Sequence, residues 1–359
     1  MISYSFWPVF SGQYLYPVAT LYPSHLCVVH QKNLNHLELW FWNPTTKEKT
    51  KVLSSQFIPA GLTLLPNQKG FAFIDQGRIR VKKFDKRSPK AIDIYEPIYH
   101  FDIPHFITDD CFLVSAKKGK RFGIFQIDLQ GRVQTIVFSE HSDALYPQKI
   151  GEQLFYIERI QECSRIISVS YPKVVRTAKV DLDDIDSILA AQDEWEKPLI
   201  KKEEKKVLHT QRDKKIIFLK AGASQDLFFV EHAPSVDQEV QLITFSCCRI
   251  TLFERSWKKL FNFTLPTSFL FHTNPKSLYE SILPLLPRYH GEKIYHCSWH
   301  TRSDGEGLDI FCYNQETEST TQKTFGKEKQ NFFAPTIFHD MLFFGLSCED
   351  NFTFELLQN

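Results

Sequence analysis

Short apolar runs separated by polar turns recur along the whole chain, and within most of them the residues alternate with the period of two that marks half-buried strands. Aligned on a proline, four stretches coincide: Pro104-HFITDD-Cys111-FLVS, Pro147-QKIGEQ-Leu154-FYIE, Pro287-RYHGEK-Ile294-YHCS and Pro335-TIFHDM-Leu342-FFGL. Looser copies begin at Pro17 and Pro59, and a copy without proline (ASQDLFFVEH) begins at Ala223. Each copy reads as a short strand, a polar turn such as TDD, GEQ or GEK, and an apolar, aromatic strand: a hairpin. An alternating third strand follows (ELWFW, RIRVKKF, FGIFQIDL, RIISVSY, VQLITFS, LDIFCYN). A fourth often follows that (TKVL, KAIDI, QTIVF, KLFNFTL, STTQKTF).

The proline anchors advance by 42, 45, 43 and 48 residues where consecutive copies are clear. Four antiparallel strands repeating at that step without helices describe the blades of a β-propeller. The 24 residues after Pro335 and the 17 up to Pro17 together make one more period. The expected fold is therefore all-β: a seven-bladed β-propeller over residues 1–359, closed by N- and C-terminal strands in one blade. MISYSFWPVF would lie against NFTFELLQ and remove the two edges of an open ring.

One segment breaks the rhythm. Between Tyr171 and Lys215, Asp181 can cap a helix with Leu182, Ile185, Ile188, Leu189 and Trp195 at helical spacing, ended by Pro198. Acidic residues fill its first half, where they suit the helix dipole. Lys201, Lys202, Lys205, Lys206, Arg212, Lys214 and Lys215 dominate the second. This charged helical insertion, 176–213, either packs its stripe on the rim or protrudes as a partner-docking element. In the second case Trp195, Leu182, Ile185, Leu189, Lys201 and Lys202 make the contact. If it joins the last strand of one blade to the first of the next, it lies at the same end as the hairpins between middle strands, and if it joins the third and fourth strands of a blade, at the opposite end; the sequence does not choose. A second elongated region, Val236 to Ser281, suggests another long loop.

Composition changes little in this picture. The 43 Lys and Arg against 42 Asp and Glu leave a formal charge of +1, so neither nucleic acid nor anionic lipid is globally attracted. The 32 Phe and 13 Tyr beside 14 Gly favour pleated, half-buried surfaces. No run reaches the eighteen apolar residues of a membrane helix, and the N-terminus lacks a signal-peptide pattern. The eight cysteines lie mostly in apolar runs without paired spacing, which fits reduced thiols in the cytoplasm. A soluble monomer without membrane contact is expected.

The candidate chemistry is thin. His296 and His300 lie four apart, which on a strand puts them on one face but roughly 13 Å apart, too far to share one metal ion. Ser303 to Gly307 reads as a hairpin turn. No Gly-x-Ser-x-Gly elbow and no phosphate-binding glycine loop occurs, so no cofactor is expected. The basic stretches 78–90 and 117–121 are solvated hairpins or a contact for an acidic partner or RNA. An enzyme on this fold would gather His100, Asp102, His105, His141, Asp143, Arg288, His290 and His339 at the channel mouth.

The stretches LLPNQKGFAFID (64–75) and ALYPQKIGEQLFYIE (144–158) resemble the TolB-like and WD40-like (PD40) β-propellers, a group whose blades also occur in prolyl oligopeptidase relatives. The Ser-Pro-Asp-Gly turn of that group is not intact here, and the Trp-Asp and Gly-His marks of WD40 repeats are absent. The functional expectation is a non-catalytic scaffold for a protein partner. The alternative, by fold analogy, is a lactonase- or hydrolase-type propeller enzyme.

Overall fold

The computed structural model describes the chain except residues 1–9, 13, 23–24, 34–35, 44–45, 56–59, 68, 76, 84–89, 95–97, 173–197, 201–203, 223–224, 233–241, 267–284, 339–340, 349–350 and 358–359. The described residues form antiparallel strands and no α-helix. They gather into two compact units, one of Met1–Leu62, Val230–Ile250 and Lys258–Asn359, the other of Thr63–Phe229 and Thr251–Trp257.

Seven sheets are present among these residues, and in six of them the strands pair in chain order. Sheet I is Tyr14–Tyr22, His25–Asn33, His36–Trp42 and Lys49–Ser55. Sheet II is Ala60–Leu64, Gly70–Asp75, Arg78–Lys83 and Lys90–Ala91. In sheet III, Cys111–Lys118, Arg121–Asp128 and Val133–Val137 follow a divided first strand. Its two pieces, Ile98–Tyr99 and His105–Thr108, both pair with Cys111–Lys118. Sheet IV is Asp143–Ile150, Gln153–Ile160, Cys163–Ser170 and Lys206–Gln211. Sheet V is Lys215–Ala221, Asp226–His232, Leu242–Thr251 and Ser256–Pro266. Sheet VI is Arg288–His290, Lys293–Arg302, Gly305–Asn314 and Ser319–Gln322. Sheet VII is Gln330–Phe338, Met341–Cys348 and Asn351–Leu357, with Phe10–Gly12 as its fourth strand. Phe10 stands opposite Phe354 and Gly12 opposite Phe352.

The recurring prolines mark the first strands. Register shifts fall between Pro17 and Ala19, between Leu145 and Gln148, and between Phe333 and Thr336. Pro104 and Pro287 immediately precede their first strands. Proline lacks an N–H, so it is tolerated at a sheet edge or a bulge and nowhere deeper. Tyr146 and Ala334, each just before the bulge proline, take left-handed backbone with φ of 53° and 51°.

Packing explains the aromatic composition. In one unit, Phe245 stacks on Phe263 at 5.3 Å, Phe261 on His296 at 4.1 Å, and Trp42 meets Phe343 edge-on at 5.4 Å. In the other, Leu113, Ile124, Ile136, Leu154, Tyr156 and Ile167 form a core between sheets III and IV. Each fully buried side chain of this size contributes roughly 1.5–3 kcal/mol.

The interruption at 172–205 joins the third and fourth strands of sheet IV. The sequence left open which connection it occupied. The helix expected over 182–195 lies outside the described residues. The basic half is not helical throughout, because Lys206–Gln211 is a strand. The segment 176–213 therefore contains the whole of that strand. Before that strand, Leu199 and Ile200 donate their N–H groups to Thr135 and Ile136 of sheet III, and Ile200 is buried in its core. The region 236–281 is likewise not loop throughout, since it holds two strands of sheet V.

Candidate functional site

Sheet IV ends on the strand Lys206–Gln211. Register places Glu158 opposite Arg165, and Arg165 opposite Thr210, so the three form a row across one face. Glu158 is buried, and its carboxylate accepts a hydrogen bond from Lys205 Nζ at 2.8 Å, with Arg165 at 4.0 Å on its other oxygen. A buried carboxylate needs such a partner. Lys205, one of the basic residues of the interruption, is thus anchored and not simply solvated. Arg165 is the looser cation of the pair and remains partly exposed.

A bulge between His209 and Val207 leaves Leu208 without an opposite residue and turns Val207 to the same face as Thr210 and Arg165. These three, with Gln211, Arg212 and Asp213, line a depression of about 660 Å³. On the other face, the His209 ring lies 5.0 Å from Phe229 and 4.9 Å from Trp257. Trp257 keeps 51% of its surface exposed and Val207 48%. Phe253, in the turn between the third and fourth strands of sheet V, is 97% exposed. All three stand at the third-to-fourth-strand end of their sheets, the end from which the interruption leaves sheet IV.

The proposed docking residues Leu182, Ile185, Leu189, Trp195, Lys201 and Lys202 lie outside the described residues, as does His339. Three of the other channel-mouth candidates, Asp102, His105 and Asp143, accept hydrogen bonds from backbone N–H groups. Asp102 sits where the first strand of sheet III is divided, and its carboxylate accepts from Ile103 N at 2.7 Å. Burial pushes its carboxyl up to about 7, against the pull of that hydrogen bond. His105 Nε2 accepts from the Lys149 N–H at 3.2 Å, and burial holds the ring down to about 4, so it is neutral. Asp143 accepts from Phe122 N at 3.0 Å and pairs with Arg121 at 3.6 Å. Arg288 is on the first strand of sheet VI, where burial lowers its pKa. His100 stacks edge-on against Tyr99 in left-handed backbone, and His141 and His290 are exposed.

His296 and His300 both lie on the strand Lys293–Arg302, and Ser303–Asp304 is the two-residue turn after it. His296 is buried in the Phe261 stack and held down to about 3 by burial. His300 Nε2 instead meets Asp309 Oδ2 at 2.7 Å. Asp309 is fully buried and accepts also from Arg302 Nε at 2.8 Å, Gln322 Nε2 at 3.3 Å, Thr324 Oγ1 at 2.9 Å and Gly326 N at 3.1 Å. Arg302 in turn donates to the carbonyls of Leu308, Lys327 and Gln330. This network fastens the connection after sheet VI. Among the described residues, no three His, Cys, Asp or Glu side chains converge to hold a metal ion. The seven cysteines whose side chains are described are free thiols, and among the described residues no helix is long and apolar enough to cross a membrane.

Solved structures resemble this arrangement. An oligogalacturonate lyase in complex with manganese aligns over 99% of this chain and 96% of its own, with 8% identity and a TM-score of 0.58. A puromycin-hydrolysing peptidase of Mycobacterium tuberculosis aligns over 94% of this chain but 49% of its own, with 9% identity and a TM-score of 0.58. A TolB protein of Agrobacterium tumefaciens aligns over 81% and 88%, with 11% identity and a TM-score of 0.48. The fold is a β-propeller fold. At these identities the likeness extends to fold alone. No protein-family model matches the sequence, and no curated protein does.

Proposed function

We propose that the chain closes as a seven-bladed wheel and works as a protein-interaction scaffold without chemistry of its own, as a monomer in the cytoplasm. The observation that supports this reading is the exposure of Val207, Phe253 and Trp257, each at the third-to-fourth-strand end of its sheet. The interruption is tied down on its return by Leu199 and Ile200 against sheet III and by Lys205 on Glu158. A rigid anchor lowers the entropy lost when a presented segment meets its partner. In this reading Trp195, Leu182, Ile185 and Leu189 form the apolar contact, with Lys201 and Lys202 beside it.

The test replaces 176–196 by a short Gly-Ser linker, which spares Leu199, Ile200 and Lys206–Gln211, and compares affinity capture from the native cells. Loss of specific partners supports docking through the interruption; an unchanged set of partners removes it. An enzymatic reading has one observation in its favour, the Asp102 carboxyl near 7, in the range useful for acid–base chemistry. Turnover of an ester or lactone panel that is abolished by Asp102→Asn, with folding retained, would replace the scaffold reading.

A further inference from the structure

We infer that the terminal strand Lys206–Gln211 of sheet IV receives a short, extended, acidic segment of a partner protein as an added strand. The inference rests on the scaffold reading and names the chemistry of one partner. A strand added at this edge would alternate its side chains between two different faces. One face offers Arg165 and Arg212 beside Val207 and Thr210, with Asp213 as the acid in the same depression. The other offers the half-exposed indole of Trp257, tilted against the His209 ring at 4.9 Å. The matching sequence alternates Asp or Glu with apolar or aromatic residues.

Charge decides which occupant fits. Glu158 is already satisfied by Lys205 at 2.8 Å, so Arg165 at 4.0 Å is incompletely neutralised, and Arg212 and Lys206 add exposed positive charge. A second copy of this basic edge would meet like charge. It would also have to follow the bulge at Leu208, one of the devices that keep edges from pairing with themselves. A flexible peptide can follow a bulged edge over a few residues.

The experiment measures fluorescence anisotropy of labelled twelve-residue peptides against the full chain. The probes are an alternating Glu/Leu peptide, its Lys/Leu counterpart, and an isomer with all Glu in one block; a single-stranded RNA of similar charge is the fourth. The alternating acidic peptide is expected to bind and to weaken with added salt. Arg212→Glu and Thr210→Glu, both at exposed side chains, are each expected to weaken it about 10-fold or more, a ratio worth roughly 1.4 kcal/mol. Trp257→Ala should weaken the same peptide, and the Arg212→Glu, Thr210→Glu double variant should gain affinity for the Lys/Leu peptide. Variants are compared only after circular dichroism and melting match the parent. Equal binding of the block isomer or of the RNA overturns strand addition, as does indifference to the charge reversals or no binding of the acidic peptide. If the peptide fails while capture still depends on 176–196, this inference falls and the scaffold reading stands.

Discussion

Asp309→Ala is the most informative single substitution. The carboxylate is fully buried and receives five donors, and the Arg302 side chain beside it retains only 6% of its surface. Removing the acid leaves a guanidinium inside the protein without its counter-charge. Three carbonyls still hold Arg302, but carbonyls do not neutralise it. Breaking one side of a buried ion pair costs about 3–5 kcal/mol, and the orphaned Thr324 hydroxyl and Gly326 N–H add to that. The assay is urea unfolding followed by tryptophan fluorescence. Trp299 lies on the same strand and donates from Nε1 to Glu306 at 3.2 Å. Asp309→Ala is expected to lower the midpoint sharply, and Arg302→Met with Asp309→Asn to recover part of the loss, since replacing both charges removes the uncompensated one. A loss below about 1 kcal/mol would contradict the argument that this network holds the connection after sheet VI.

Gly307→Ala and Gly326→Ala should each destabilise by about 1–3 kcal/mol in the same assay. A Cβ there would lie 2.2 Å and 2.6 Å from the Arg302 guanidinium, which the Asp309 pairing holds in place. Asp102 binds its proton more tightly folded than unfolded, so its contribution to stability falls as pH rises from about 4 to about 7. Asp102→Asn should therefore stabilise the protein at pH 8, leave it unchanged below pH 4, and flatten that slope in melting curves. His105, held down to about 4, acts in the opposite sense: its contribution is full above 6.5 and is lost as pH falls toward 4. His105→Gln should reduce the acid sensitivity of the melting temperature over that window. Deleting 176–196 should preserve cooperative unfolding, whereas deleting 176–213 should abolish it, because the longer cut removes a strand and the buried Ile200.

The strands were legible in the sequence because most first strands carry, or directly follow, a proline that only an edge or bulge accommodates, and an uninterrupted apolar strand such as LFYIE comes next. The fourth strand of sheet IV was not legible. KVLHTQ sits in a lysine-rich run with one strongly buried residue, His209, and an edge strand needs no fuller apolar pattern. Trp257 and Phe253 carried no local signal either, because exposure depends on which sheets stand beside them. The Asp309 network is assembled from His300, Arg302, Gln322, Thr324 and Gly326, which share no spacing that sequence reading recognises. His300 had drawn attention only through His296, four residues away, and the fold sends that ring into an aromatic stack instead.

The scaffold claim is tested most directly by site-specific photo-crosslinking in the cells that make this protein. A benzophenone amino acid is placed in turn at Val207, Phe253 and Trp257, with Lys120, in the hairpin Gly119–Lys120 between middle strands, as the control. The account predicts a discrete protein adduct from the three positions and none from Lys120. No adduct from any of the three, or the same adducts from Lys120, would contradict it.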